Sequence, residues 1–221
     1  MTNLIKTFFA GVGITAFTML VATLLGWDYQ FNWLEVTAVA TSYSCTLLCV
    51  YQSRWNYPIG IVTTFLYSVL FWIWELPAVS LFNLYLVFSL TYGWFRWGPD
   101  ENTRPVTRLS ESSLFVWMGY VLIGLGVYGL LNVVNSYFGI PMKPADVWVA
   151  VLSGVAQFLL DNKRLETWIV WAVVNVISIV LFFNQGLHLV TLQYVFFLGN
   201  TVYGFILWKR SEDRNFIEVL Q

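Results

Sequence analysis

Long apolar runs broken by short charged or turn-rich joints dominate the chain, and eight of them approach the length of a membrane span. They cover about 4–26, 35–51, 57–74, 78–97, 113–135, 146–160, 167–184 and 187–208. A helix rising 1.5 Å per residue needs roughly 20 apolar residues to cross the hydrocarbon core. Some runs fall short of that length, but the joints are too brief to hold a soluble domain. The pattern predicts an all-α integral membrane protein. Within 167–184, helical spacing puts Trp168, Trp171, Asn175, Ser178 and Phe182 on one face. A primary amide half-way along a span is costly against lipid. This stripe is therefore expected to face other helices.

Composition sharpens that picture. The chain is 58% hydrophobic and 10% charged, whereas a soluble domain carries about 25% charged residues. The net charge of −1 comes with no basic patch able to follow a phosphate backbone, so no nucleic-acid partner is expected. Cys45 and Cys49 lie four apart on one predicted span, which suits free thiols rather than a disulfide. His188 has no second histidine and no cysteine pair beside it, so neither a metal site nor a cofactor is expected. The first segment starts like a signal peptide, with Lys6 before an apolar run. It is too long for one and lacks the small-residue cleavage pattern before Trp27, so residues 1–30 read as a retained apolar helix.

Basic residues alternate with the joints. One set holds Arg54, then Arg96, Arg104 and Arg108, then Lys163 and Arg164, then Lys209, Arg210 and Arg214. The opposite set holds only Lys143, with Lys6 left at the start. The positive-inside rule makes the first set cytoplasmic, and with it the C-terminal tail 209–221.

Shifted by 111 residues, the chain partly overlays itself. Tyr92-Gly93 and Trp97 fall on Tyr203-Gly204 and Trp208, and Leu70-Phe71 falls on Leu181-Phe182. Each repeat would be three spans, 35–97 and 146–208, with 113–135 as the linking helix. An odd number of spans per repeat would invert the second copy, and the single linker restores its direction. The expected fold is two parallel three-helix repeats joined by a linker helix (3+1+3), plus the extra N-terminal helix. Gly119, Gly124, Gly126 and Gly129 in the linker suit close helix packing.

The candidate chemistry is polar but uncharged. No Asp, Glu or Lys lies inside a predicted span except near an end, so none is expected to be buried for an ion relay. No acid, base and nucleophile set assembles around the single histidine, which argues against an enzyme. Gln157, Asn175, Gln193 and Asn200 are the amides that stand out, and their counterparts under the shift are Thr46, Thr64, Phe82 and Ser89. Any one of them is explained equally well as interhelical glue, worth roughly 0.6–2 kcal/mol; four in one half point to a cavity polar mainly on that side. Tyr43, Tyr67 and Trp72 are available on the other side, with Trp171 as a further candidate. Trp168 fits either a cavity or an interface. Trp27, Trp33, Trp55, Trp94, Trp97, Trp148 and Trp208 lie near span ends and read as interfacial anchors. Amides match hydroxyls or a carboxamide, and aromatic faces stack on a flat ring or hold a cation. Such a cavity suits a cationic nucleoside, and the absence of mid-span Lys or Arg disfavours a phosphorylated one.

The run Lys163-Arg164-x-Glu166-x-Trp168-x-x-Trp171-x-x-x-Asn175, the first-half turn Arg54-Trp55-Asn56-Tyr57-Pro58 and the two Tyr-Gly-x-x-x-Trp helix ends resemble the PnuC family of vitamin transporters, related in fold to the SWEET sugar transporters. The resemblance covers roughly 35–210 and leaves the segment 4–26 outside. It implies a seven-helix core with one central site, and uptake of nicotinamide riboside across a bacterial inner membrane by facilitated diffusion. It also implies a homotrimer and a cytoplasmic kinase that traps the riboside by phosphorylation. Thiamine or sugar carriers share the fold and stand as the alternative. A membrane-embedded enzyme or a structural subunit is the alternative from other classes.

Overall fold

A computed structural model of the chain describes residues 2–27, 31–98, 105–108, 114–139 and 143–220. Side chains are described for all of these except 2–3, 114–118, 120–121, 123, 131, 135, 138 and 215–220. Among the described residues the fold comprises eight helices: α1 (Thr2–Leu24), α2 (Trp33–Val50), α3 (Asn56–Ile73), α4 (Pro77–Trp97), α5 (Leu114–Phe138), α6 (Pro144–Asp161), α7 (Thr167–Asn184) and α8 (His188–Leu220). All except α5 are long and apolar enough over their described residues to cross a membrane.

The helix boundaries follow local chemistry. Asn32 caps α2, its side chain accepting the Leu34 amide at 2.9 Å. Pro77 and Pro144 open α4 and α6, where a missing N–H costs nothing. α8 does not stop at Trp208 but continues to Leu220, so the tail that follows the last span is helical over its described residues. No glycine or proline follows Gly204, and Glu212 on this extension is pinned by Arg108 at 2.6 Å.

Six helices close a ring in the order α2, α3, α4, α6, α7, α8 and back to α2, each packed on the next. α1 lies outside against α2 and α8, and α5 lies outside against α6. Of the linker glycines only Gly124 has a close neighbour, at Val151; a Cβ at Gly119, Gly126 or Gly129 would meet nothing. Among the described residues, the close packing expected there is found at Gly124.

Positions 111 residues apart make matching contacts. Trp97 Nε1 donates to the Leu160 carbonyl at 3.3 Å, and Trp208 Nε1 to the Cys49 carbonyl at 3.2 Å. Tyr57 meets Trp97 edge-on at 5.2 Å, as Trp168 meets Trp208 at 5.4 Å. Gln52 and Lys163 both hold left-handed backbone, with φ of 56° and 48°, and Lys163 Nζ reaches Gln52 Oε1 at 3.5 Å. Glu75 and Gly186 repeat that backbone at the other end, with φ of 57° and 72°. Trp97 and Trp208 are 1% and 0% exposed. Both are core residues, not the interfacial anchors that their place at span ends suggested.

The basic joints gather at one end. Thr107 pairs with the α6–α7 turn, donating its N–H to the Lys163 carbonyl at 3.1 Å and accepting the Leu165 N–H at 3.0 Å. Arg164 donates to the Arg108 carbonyl at 2.9 Å, and Arg108 in turn holds Glu212 on α8.

Candidate functional site

A cavity of about 160 Å³ lies inside the ring, and among the described residues all six ring helices line it while α1 and α5 contribute none. α2 presents Ser42 and Thr46, and α3 presents Thr63, Thr64 and Tyr67. α4 adds Asn83, α6 adds Gln157, α7 adds Trp168, Trp171 and Asn175, and α8 adds Gln193, Tyr194 and Phe197. Among the described residues, no lysine or arginine lines it. It is walled by rings and edged by amides and hydroxyls.

Several of its polar groups are already engaged. Tyr67 donates its hydroxyl to Gln193 Oε1, which leaves the Gln193 amino group to the cavity. Gln157 Nε2 donates to Asp161 Oδ1 at 2.8 Å. Asn83 Nδ2 donates to the Val79 carbonyl at 2.8 Å, within its own helix. Two groups stand open. The buried Trp168 indole N–H has no hydrogen-bond partner. The Asn175 amide, also buried, has no partner among the described residues. A buried donor left unmade costs about 1–3 kcal/mol. A solute that supplies the missing partner recovers that cost.

Of the residues singled out from the sequence, Gln157, Asn175, Gln193, Trp168, Trp171 and Tyr67 line the cavity. Asn200 stands one layer back, donating to Thr46 Oγ1 at 3.0 Å. Tyr43 is buried edge-on against Phe196 and Phe197, at 4.9 and 5.8 Å, and does not line the cavity. Trp72 is 57% exposed on the outer surface of the ring. At about 100° per residue it sits roughly 140° around α3 from Tyr67, so one helix cannot aim both inward. Thr46 and Thr64, which line the cavity, are the 111-residue counterparts of Gln157 and Asn175. That shift was the signal for them.

The expectation that no ionisable side chain is buried is corrected. Asp146, Asp161 and Lys163 are each at most 1% exposed. Asp146 accepts the N–H groups of Ala78 and Val79, both at 2.9 Å, which caps the first turn of α4. Asp161 accepts from Tyr57, Ser89 and Gln157 at 3.2, 2.8 and 2.8 Å. Lys163 lies over the Trp97 ring at 4.8 Å. These residues do stand at helix ends. Asp161 and Lys163 are enclosed because Trp97 and residues 105–108 cover the α6–α7 turn, and Asp146, at the opposite end of α6, is enclosed against the first turn of α4.

Beyond the cavity, rings meet at both ends. Phe71 and Phe182 stack at 5.4 Å one helical turn past Tyr67 and Ser178. Trp97 and Trp208 meet at 6.0 Å on the other side.

Seven apolar helices among the described residues, six of them ringed around a polar, uncharged cavity, define a multi-pass membrane protein. The family model described as nicotinamide mononucleotide transporter matches residues 32–210. The chain belongs to this family, the PnuC family, and is a membrane transporter rather than an enzyme. The nicotinamide riboside transporter PnuC of Escherichia coli (strain K12) is 23% identical over 211 residues, taking in 83% of this chain and 87% of the relative. The protein of that name from Neisseria mucosa is 26% identical over 197 residues, with 83% and 74% covered. The crystal structure of the vitamin B3 transporter PnuC superposes with a TM-score of 0.76 at 23% identity, over 94% of this chain and 90% of that one.

Proposed function

We propose that this protein takes up nicotinamide riboside, bound in the central cavity and released alternately to either side of the membrane. The observation that carries the reading is the lining itself: open amide and indole groups at Asn175 and Trp168, rings at Trp171, Tyr67 and Tyr194, and no cation. Amides hydrogen-bond ribose hydroxyls and a carboxamide, and aromatic faces attract a pyridinium. The family description names the mononucleotide, and a phosphate would call for Lys, Arg or helix N-terminal N–H groups. The lining has neither cation, which favours the riboside, as do the relatives named for riboside transport.

Alternating access would come from two parallel three-helix repeats, α2–α4 and α6–α8, rocking with α5 as linker. The matched contacts of Trp97 and Trp208, and the matched backbone of Gln52 and Lys163, support that division. The aromatic pairs Phe71–Phe182 and Trp97–Trp208 would be the gates. The gathering of basic joints at one end supports a cytoplasmic C-terminus in a bacterial inner membrane. The reading includes facilitated diffusion, with a cytoplasmic riboside kinase as the trap, and assembly as a homotrimer.

Calorimetric titration of the detergent-solubilised protein with nicotinamide riboside, its mononucleotide, thiamine and glucose tests the substrate. Saturable binding of the riboside, with the mononucleotide at least tenfold weaker and the others silent, is the expected result. Tighter binding of the mononucleotide or of thiamine overturns it.

A further inference from the structure

Gln157 stands between two different surroundings. On one side is the cavity it lines; on the other its Nε2 donates to Asp161 Oδ1 at 2.8 Å. Asp161 ends α6, and its carboxylate also accepts from Tyr57 of α3 and Ser89 of α4. Three donors from three helices thus converge on one buried carboxylate. An ionised carboxylate only accepts, whereas a primary amide has one accepting and one donating end. Facing Asp161, the Gln157 amide must therefore turn its amino group inward. Its Oε1, which has no partner among the described residues, is left to the cavity. The clamp is tightly built. A Cβ at Gly93 would come within 2.6 Å of Asp161 Oδ1 and 2.1 Å of the Tyr57 ring, so only glycine lets these groups meet.

We propose that Asp161 is a positioning residue for solute recognition. It locks the Gln157 amide so that a carbonyl oxygen, and not an amino group, faces the cavity, and the solute must present a hydroxyl or amide N–H donor there. This rests on the cavity being the riboside site. It assigns a recognition role to a charged side chain that touches no solute. It also makes the site's donor preference depend on α3 and α4, whose Tyr57 and Ser89 hold the carboxylate at the end of α6.

The test compares binding of nicotinamide riboside with four analogues, each lacking one donor. These are the 2′-, 3′- and 5′-deoxy forms and the 3-acetylpyridinium riboside, in which methyl replaces the amide NH₂. In the wild-type protein one analogue should bind at least about tenfold more weakly, because it leaves Oε1 unpaired. In Asp161→Asn the new side chain can donate or accept, Gln157 is free to turn, and that one penalty should fall below about threefold. The other penalties should keep their wild-type values. Gln157→Leu removes the acceptor without replacing Asp161, Tyr57 or Ser89, and should erase the same penalty. If Asp161→Asn does not fold, this second variant decides.

Uniform weakening of all ligands in Asp161→Asn, with their ranking kept, would assign Asp161 a merely structural role and overturn the proposal. So would a wild-type discrimination pattern retained in Gln157→Leu. A wild-type protein that does not bind the riboside overturns the site reading as well, and the wild-type titration alone distinguishes that failure.

Discussion

Trp97 and Trp208 meet with ring centroids 6.0 Å apart, and each donates its indole N–H to a carbonyl on a neighbouring ring helix, Leu160 and Cys49 respectively. The donors are 111 residues apart, and so are the acceptors. Two equal hydrogen bonds should carry equal weight. Trp97→Phe and Trp208→Phe each remove one donor from a buried carbonyl that still accepts a backbone N–H, from Lys163 at Leu160 and from Gln52 at Cys49, a loss of about 0.5–1.5 kcal/mol. Thermal unfolding in detergent should show similar drops for the two. A drop in only one would break the equivalence.

Gly93 and Gly204 make a second matched pair. A Cβ at Gly93 would lie 2.1 Å from the Tyr57 ring, and at Gly204 2.5 Å from the Trp168 ring. Alanine at either position should destabilise by about 1–3 kcal/mol or more through overpacking. Gly199, whose Cβ would meet nothing, is the control. Gly204→Ala should also weaken riboside binding, because Trp168 lines the cavity.

Asp146 caps α4 from another helix. Asp146→Ala leaves the Ala78 and Val79 N–H groups without their acceptor. The expected cost is about 1–2 kcal/mol of stability, with riboside affinity unchanged because Asp146 does not line the cavity. Melting temperature and calorimetric affinity, measured on one sample, separate the two effects.

The tryptophans divide by face. Trp171→Ala and Trp168→Ala should each weaken riboside binding at least about tenfold, given stacking and cation–π terms of about 0.5–2 kcal/mol apiece and the lost indole donor. Trp72→Ala, on the outer surface, should bind as wild type. A binding loss in Trp72→Ala would place the solute elsewhere.

The helices were largely legible because long uncharged runs between short charged joints admit few alternatives; seven of the eight end within a few residues of their expected bounds. α8 overran its bound because the charged stretch after Trp208 contains nothing that stops a helix. The cavity was legible in part, and for a periodic reason. Trp168, Trp171 and Asn175 share a face at helical spacing, and the structure turns that face inward. Trp72 and Tyr43 were misplaced because neither sits within a polar stripe that fixes a helix's orientation. Trp97, Trp208 and Asp161 were hidden for another reason. Position along a span tells depth, but not whether a neighbouring segment such as 105–108 covers the end. That covering is a tertiary fact with no local signal.

The most direct test of the account is uptake of labelled nicotinamide riboside into proteoliposomes by the wild-type protein, Asn175→Ala and Trp72→Ala. Asn175 has no protein partner among the described residues, so its truncation removes contacts to the solute and little else. The account predicts saturable wild-type uptake, matched by Trp72→Ala, with apparent affinity at least about tenfold weaker in Asn175→Ala despite unchanged thermal stability. Wild-type uptake kinetics in Asn175→Ala would contradict it.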